Sequence, residues 1–350
     1  MYSTEESFAR RWSRRAVTYS FVYLSLVLLV LTLPIWLPAA LMLDAVRRTS
    51  WSATRAFLFA GLYLIAQAWA LIGCFFVWLF SGVWAGRGRQ RLVDGMFWIE
   101  FAWGRFLGGG SMTIWGMRPE IEFDYEFTDR PVILFVRHAS LVDTLLPLLY
   151  VCAPFNMKLR YVMKRELEWD PCLDLAVNRM PHLFVQRGSD DVEKEIRAIG
   201  KLVENVGPRE GVIIFPEGTR YSDEKKARIL KKLEDAGQEE LLQWAKSYQR
   251  VLPPRMGGPL ALLEHNPGAD VVFCAHTGLE KASSFRESFN GGFVGAVVHI
   301  RFWGVAYESI PAGAEARQRW LLEEWKKVDD FIVSHSGAEA RPAEETASAD

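Results

Sequence analysis

The sequence predicts an α/β domain carried behind an N-terminal two-helix membrane hairpin. Short apolar runs at Val132–Val136, Val212–Phe215, Val271–Ala275 and Val294–Phe302 have the length of buried strands. They alternate with amphipathic stretches of helical period, at roughly 189–206, 223–248 and 314–334, and strands alternating with helices define the α/β class. Ahead of them, residues 16–43 and 56–86 contain no charged residue. Each exceeds the roughly 20 residues that a helix needs to cross the hydrocarbon core.

The N-terminal elements come first. Arg10, Arg11, Arg14 and Arg15 precede the first apolar segment in the manner of a signal peptide. The segment is too long for a typical signal core, however, and a second apolar segment follows at once, so residues 1–86 read as a membrane anchor. Pro34 and Pro38 predict a kink, which allows the hairpin to dip into one leaflet instead of spanning both. Arg87, Arg89 and Arg91 follow the second segment and, with the leading arginines, place both ends of the hairpin and the domain behind it on the cytoplasmic side. Arg47, Arg48 and Arg55 in the intervening loop pull the other way. Residues 87–111, aromatic and basic and ending in Gly-Gly-Gly-Ser, read as an interfacial linker. The α/β domain then occupies residues 112–335, and the small, acidic tail 336–350 has the composition of a disordered segment.

Composition excludes several function classes. The chain has 350 residues and a formal net charge of −1, so no basic excess is present to neutralise nucleic-acid phosphates. Cys74, Cys152, Cys172 and Cys274 are scattered, with no C-x-x-C pair, and read as buried free thiols. There is no G-x-S-x-G, P-loop, G-x-G-x-x-G or H-E-x-x-H pattern, so serine hydrolase, nucleotide hydrolase, dinucleotide and zinc readings have no support and no cofactor or metal is called for.

Two stretches carry candidate chemistry. In "FVRHASLVDTLLP" His138 and Asp143 stand five positions apart. On one helix they would be about 140° apart, so they meet only if His138 precedes the helix and Asp143 lies in its first turn. Ser140 is a good N-cap for that helix, and Ser140-x-x-Asp143 is itself a capping-box pattern, which gives Asp143 a purely structural alternative. In the catalytic reading the carboxylate orients the imidazole and stabilises the imidazolium that forms when histidine takes a proton from a hydroxyl. In "IIFPEGTR" an apolar strand ends in Pro216, Glu217, Gly218, Thr219 and Arg220. Gly218 permits a tight turn, Thr219 offers a hydroxyl, and Arg220 supplies a planar fork suited to phosphate; the alternative is a strand-end turn with a surface ion pair.

Together these stretches resemble the PlsC-like 1-acylglycerol-3-phosphate acyltransferase family. His138-x-x-x-x-Asp143 matches its first block, "LFVQR" ending at Arg187 its second, Phe215 to Arg220 its third, and "VLPPRMGG" its fourth. The C-terminal "VVHIRFWGVAYESIP" and "RWLLEEWKKVDDF", with the helical insert at 223–248, are similar to the lysocardiolipin and lysophosphatidylinositol acyltransferase branch. The resemblance covers about residues 115–332 and implies a mixed sheet flanked by helices. It implies that His138 acts as general base, oriented by Asp143, on the free hydroxyl of a lysophospholipid that then attacks the thioester of acyl-CoA or an acyl carrier protein. It also implies that Arg187, Glu217, Gly218, Thr219 and Arg220 hold the acceptor, with the arginines on its phosphate, and that the partners are a lipid bilayer, the lysophospholipid and the thioester donor. Two other classes stay open: a catalytically idle, lipid-binding scaffold and an acyl-thioester hydrolase.

Some residues depart from the pattern or lie outside it. Arg137 precedes the histidine where the family commonly has a small or polar residue, and Met256 stands in the fourth block where threonine is frequent. A cation near His138 would disfavour the imidazolium, unless alternation at the strand end points the two side chains apart. His182 reads as a loop histidine, His299 as a structural strand histidine, and Cys274 with His276 as two residues on one strand face, too few for a metal site.

Overall fold

The computed structural model describes residues 6–140, 142–185, 191–280 and 290–336. Arg187 and almost all of the acidic tail lie outside the described residues. Seven strands form one mixed sheet in the order β1-β7-β6-β2-β5-β3-β4. They are β1 (Arg118–Asp124), β2 (Val132–Val136), β3 (Lys158–Lys164), β4 (Leu183–Val185), β5 (Glu210–Ile214), β6 (Asp270–Thr277) and β7 (Val297–Val305). All neighbours are parallel except β6 and β7.

A continuous apolar run such as Val132-Ile133-Leu134-Phe135-Val136 is what a parallel strand needs when both its faces are covered. All five residues are fully buried. Val132, Leu134 and Val136 face one core, shared with the N-terminal helices and with α5 (Leu145–Phe155). Ile133 and Phe135 face a second core, shared with the helices Val192–Gly200, Gly257–Glu264 and Ala314–Ser336. Each such side chain contributes on the order of 1.5–3 kcal/mol relative to exposure.

The expected helix over 223–248 is two helices, Asp223–Asp235 and Glu239–Ser247, parted where Gly237 takes a φ of +64°. The C-terminal helix does more than cover the sheet. The buried Asp329 accepts from the amides of Gln249 and Arg250, and the indole of Trp325 donates to the carbonyl of Leu252 at 3.0 Å. Residues 249–252 are thereby held at the carboxyl ends of β2 and β5.

Four helices precede the sheet: α1 (Phe8–Leu31), α2 (Leu33–Arg47), α3 (Ser52–Ser81) and α4 (Arg89–Trp115). The first apolar segment breaks at Thr32, and the chain restarts at once as α2, with Pro34 in its first turn. The Asp44 carboxylate turns the chain back by accepting from the amides of Ala53 and Thr54, both at 2.9 Å, at the start of α3. Residues 8–31 and 52–85 form helices long and apolar enough to cross a membrane. Phe21, Leu24, Leu31, Ile35 and Phe80 are each more than two-thirds exposed, an apolar surface without protein cover.

The stretch read as an interfacial linker is almost entirely helical, and it packs antiparallel to α3. A Cβ on Gly73 would lie 2.6 Å from Ile99, and one on Gly95 2.5 Å from Val77. Gly104, Gly108 and Gly110, which look like helix breakers in sequence, lie under Leu148, Leu149 and Leu62, with 3.1, 2.5 and 2.6 Å to an added Cβ. Lack of a side chain here allows close helix packing. Nor are residues 1–86 a separate unit. Arg15 pairs with Asp174 at 2.7 Å, and Tyr63 and Gln67 of α3 hydrogen-bond Asp170 at the start of the helix Pro171–Val177.

Candidate active site

β2 and β5 are parallel neighbours with Phe135 opposite Ile214, so the chain leaves both strands side by side. One exit carries Arg137 and His138, the other Pro216 and Glu217. β6 flanks β2 on its other edge, with Cys274 opposite Val136, and brings His276 to the same end of the sheet. Ligands of open parallel sheets bind at this end, beyond the carboxyl termini of the strands.

His138 Nδ1 lies 3.2 Å from both carboxylate oxygens of Asp143. One of those oxygens also accepts from the amides of Ala139 at 2.6 Å and Ser140 at 2.8 Å. The bond from Ser140 has the form of a capping box's return half but closes a turn and caps no helix, so Asp143 both holds this turn and orients the ring. The helix expected from Ser140 starts instead at Leu145, since the carboxylate draws residues 139–143 into a turn ahead of it. Asp143 is fully buried, which alone would push its carboxyl up. The hydrogen bond and charge of His138, the nearby His276 and the Ser140 amide outweigh burial and hold it below the usual carboxylate range. An ionised Asp143 on Nδ1 leaves Nε2 of His138 as the base.

The Arg137 side chain points away from this pair. Its buried guanidinium turns to the carbonyls of His276 at 2.6 Å and Arg250 at 3.1 Å and forms an ion pair with Glu280. That pairing, with Arg137 outweighing burial, brings Glu280 down to about 2. The two neighbours therefore point to different surroundings, as strand alternation allows. His276 is fully buried, its ring nitrogen donates to the Arg137 carbonyl at 3.0 Å, and burial lowers its pKa against the pull of Asp143. His299 sits on β7, 3.0 Å from Glu120 and away from the site.

Glu217 has a different place from the acceptor contact expected of it. It is buried, with one oxygen accepting from the amide of His138 at 2.9 Å and the other from the amide of Leu252 at 3.0 Å. Burial pushes this carboxyl up to about 7 against the pull of Arg137 and the two amides. Glu217 is thus a strut that fixes the backbone of His138 to the fourth motif, and the cavity wall does not include it. Gly218 closes the turn with a φ of +64° and passes under Arg255, whose Cδ would lie 2.9 Å from a Cβ there. The amide of Arg255 donates to the Pro216 carbonyl at 2.8 Å, and the amide of Tyr221 to that of His138 at 3.1 Å. The three motifs are one hydrogen-bonded assembly.

A cavity of about 620 Å³ opens beside His138. Its polar end is lined by His138, Gly218 and three cations, Arg220, Arg255 and Lys164. Thr219 is half-buried and outside the lining. Sequence reasoning left Lys164 and Arg255 out of the site; Arg255 was visible within the fourth motif, whereas Lys164 carries no signal beyond ending an alternating strand. The rest of the lining is mostly apolar, including Leu145, Leu148 and Phe215 along with Ala70 and Cys74 of α3 and Met96 and Ile99 of α4. The helices ahead of the sheet therefore complete the site. A shallow depression beside Arg130 and Arg209 lies at the opposite end of the sheet and holds no comparable constellation.

Residues 118–256 match the model of the family described as Acyltransferase. The chain is similar to 1-acyl-sn-glycerol-3-phosphate acyltransferase epsilon of Mus musculus, 25% identical over 213 residues, which is 58% of this chain and 57% of that protein. It thus spans a little over half the length of that curated relative. Among solved structures it is similar to the 1-acyl-sn-glycerophosphate (LPA) acyltransferase PlsC of Thermotoga maritima, with a TM-score of 0.52 and 17% identity. That match covers 80% of this chain and 97% of the other, a likeness of fold.

Proposed function

We propose that this chain, which resembles the PlsC-like 1-acylglycerol-3-phosphate acyltransferase family, transfers a fatty acyl group from a thioester, acyl-CoA or acyl carrier protein, to the free hydroxyl of a lysophospholipid such as lysophosphatidic acid. The observation that carries it is one cavity with His138 and three cations at one end and a mostly apolar wall through the rest. Nε2 of His138 takes the proton of the acceptor hydroxyl while Asp143, on Nδ1, stabilises the imidazolium. The acceptor oxygen bonds to the thioester carbonyl carbon, the carbon–sulfur bond breaks, and the proton passes from His138 to the departing thiolate. The products are the diacylated phospholipid and the free thiol. Arg220, Arg255 and Lys164 match the phosphate of the acceptor in charge. The apolar wall matches an acyl chain.

The exposed apolar faces of α1 and α3 fit a lipid bilayer. We place the cavity at the membrane surface, where a lipid acceptor enters sideways and a soluble donor arrives from the cytoplasm. Because α3 walls the cavity, removing residues 1–86 would open the site as well as detach it.

The test is acyl transfer from labelled oleoyl-CoA to a panel of lysophospholipids differing only in head group. Lysophosphatidate should be preferred over a lysolipid without an accessible phosphate monoester. Arg220→Ala should raise KM for lysophosphatidate about tenfold, consistent with losing one charge-assisted phosphate contact of about 1.5–3 kcal/mol, with a smaller change in kcat. A head-group preference unchanged by the substitution would remove Arg220 from the acceptor site.

A further inference from the structure

The apolar part of the cavity contains polar groups that the transfer reaction does not use. Glu100 and Trp103 of α4, Tyr161 of β3 and His182 all line it. Oε2 of Glu100 and the indole nitrogen of Trp103 are buried without a hydrogen-bond partner. The Tyr161 hydroxyl, on a side chain that is 6% exposed, has the Cys152 thiol beside it and no other partner. His182, read from sequence as a loop residue, is buried and accepts the Tyr161 amide on Nδ1 at 2.9 Å. Its other nitrogen therefore carries the proton, and it stands 3.7 Å from Oε2 of Glu100, beyond a hydrogen bond.

An orphaned acceptor and an orphaned donor facing one apolar cavity are costly when nothing pairs with them. A plain alkyl chain would leave both desolvated. A hydroxyl suits the pair, since it donates once and accepts as well. Position sets where on the chain it would lie. Tyr161 is in register with Ile213, and Ile213 with Leu134, four residues short of His138. At about 3.3 Å per residue the cluster is roughly 13 Å deeper along the strand direction, well past the thioester carbon.

Resting on the acyltransferase reading above, we propose that Glu100, Trp103 and Tyr161 form a specificity site for an acyl chain bearing a hydroxyl along its length, with the hydroxyl donating to Glu100 and accepting from Trp103. The full chain in detergent micelles, loaded with a fluorescent fatty acid, is titrated with stearate and its monohydroxylated positional isomers. At least one isomer hydroxylated in the distal part of the chain should displace the probe about three- to tenfold better than stearate, equivalent to one or two net hydrogen bonds. Glu100→Leu should abolish this preference and improve displacement by plain stearate, a gain that damage to the fold would not give. Trp103→Phe, which keeps the ring and removes the donor, should weaken the preference alone. Isomers no better than stearate, or a preference that survives both substitutions, would overturn the proposal, as would failure of every fatty acid to displace the probe. Transfer from oleoyl-CoA is measured on the same preparation: its absence, with the hydroxyl preference intact, would defeat the enzymatic reading and leave the binding site standing.

Discussion

A His138→Ala variant is expected to fold as the wild type and to lose acyl transfer, with kcat lower by roughly 10²–10⁴. Among the described residues lining the cavity, the ring is placed to take a hydroxyl proton and is already oriented by a carboxylate. Its removal leaves the turn intact, because Asp143 keeps the amides of Ala139 and Ser140. Melting temperature should stay within a few degrees while turnover collapses; an active variant would remove His138 from the reaction. Asp143→Asn separates the two roles of the carboxylate. An amide can keep its oxygen on the two backbone donors, but it puts an NH2 beside Nδ1 in place of the second oxygen and carries no charge to stabilise the imidazolium, so this variant should lose activity with a stability loss of no more than about 1 kcal/mol.

Glu217→Gln, conservative in shape, is expected to be damaging in a pH-dependent way. Both oxygens of Glu217 accept backbone amides, from His138 and Leu252. Glutamine offers one oxygen, and its NH2 must face the other amide. The His138 loop then loses its fixed link to the fourth motif, and kcat/KM should fall about tenfold or more across the pH range. The stability difference follows the titration. Burial raises the folded-state pKa to about 7, above the usual glutamate value, so the native protein holds this proton more tightly than the unfolded chain. Wild type accordingly loses stability from this group as pH rises through that window, by up to about 3 kcal/mol, whereas the glutamine does not titrate. Denaturant melts should show the variant about 1–3 kcal/mol less stable near pH 5, with the gap closing or reversing by pH 8. A gap that widens with pH would contradict the assignment.

The parts legible in sequence are those whose signal is local. β2 is visible as an apolar run, the turn at Gly218 follows from its residue type, and the His138–Asp143 spacing limits the geometry to one in which the histidine precedes the helix. The mixed sheet agrees with the family resemblance. What was hidden depends on partners far along the chain. Arg137 is settled by His276, Arg250 and Glu280, more than a hundred residues away. Glu217 is a strut because Leu252 returns beneath it, which no motif spacing reveals. α4 reads as a linker because glycines at 104, 108 and 110 count against a helix, yet leucines from α3 and α5 occupy the space that their side chains would fill. β1 is short of apolar residues since it is an exposed edge strand. The polar cluster around Tyr161 draws two residues from α4 and one each from α5, β3 and the approach to β4, and none announces itself alone.

The central claim is that His138 drives transfer to a lipid hydroxyl. It is tested most directly by following the label of oleoyl-CoA with wild-type protein, in the presence and absence of lysophosphatidate. The account predicts label in phosphatidate when the acceptor is present and little release of free oleate when it is absent. Label passing to free oleate at the same rate with or without acceptor would contradict it and identify a thioester hydrolase instead.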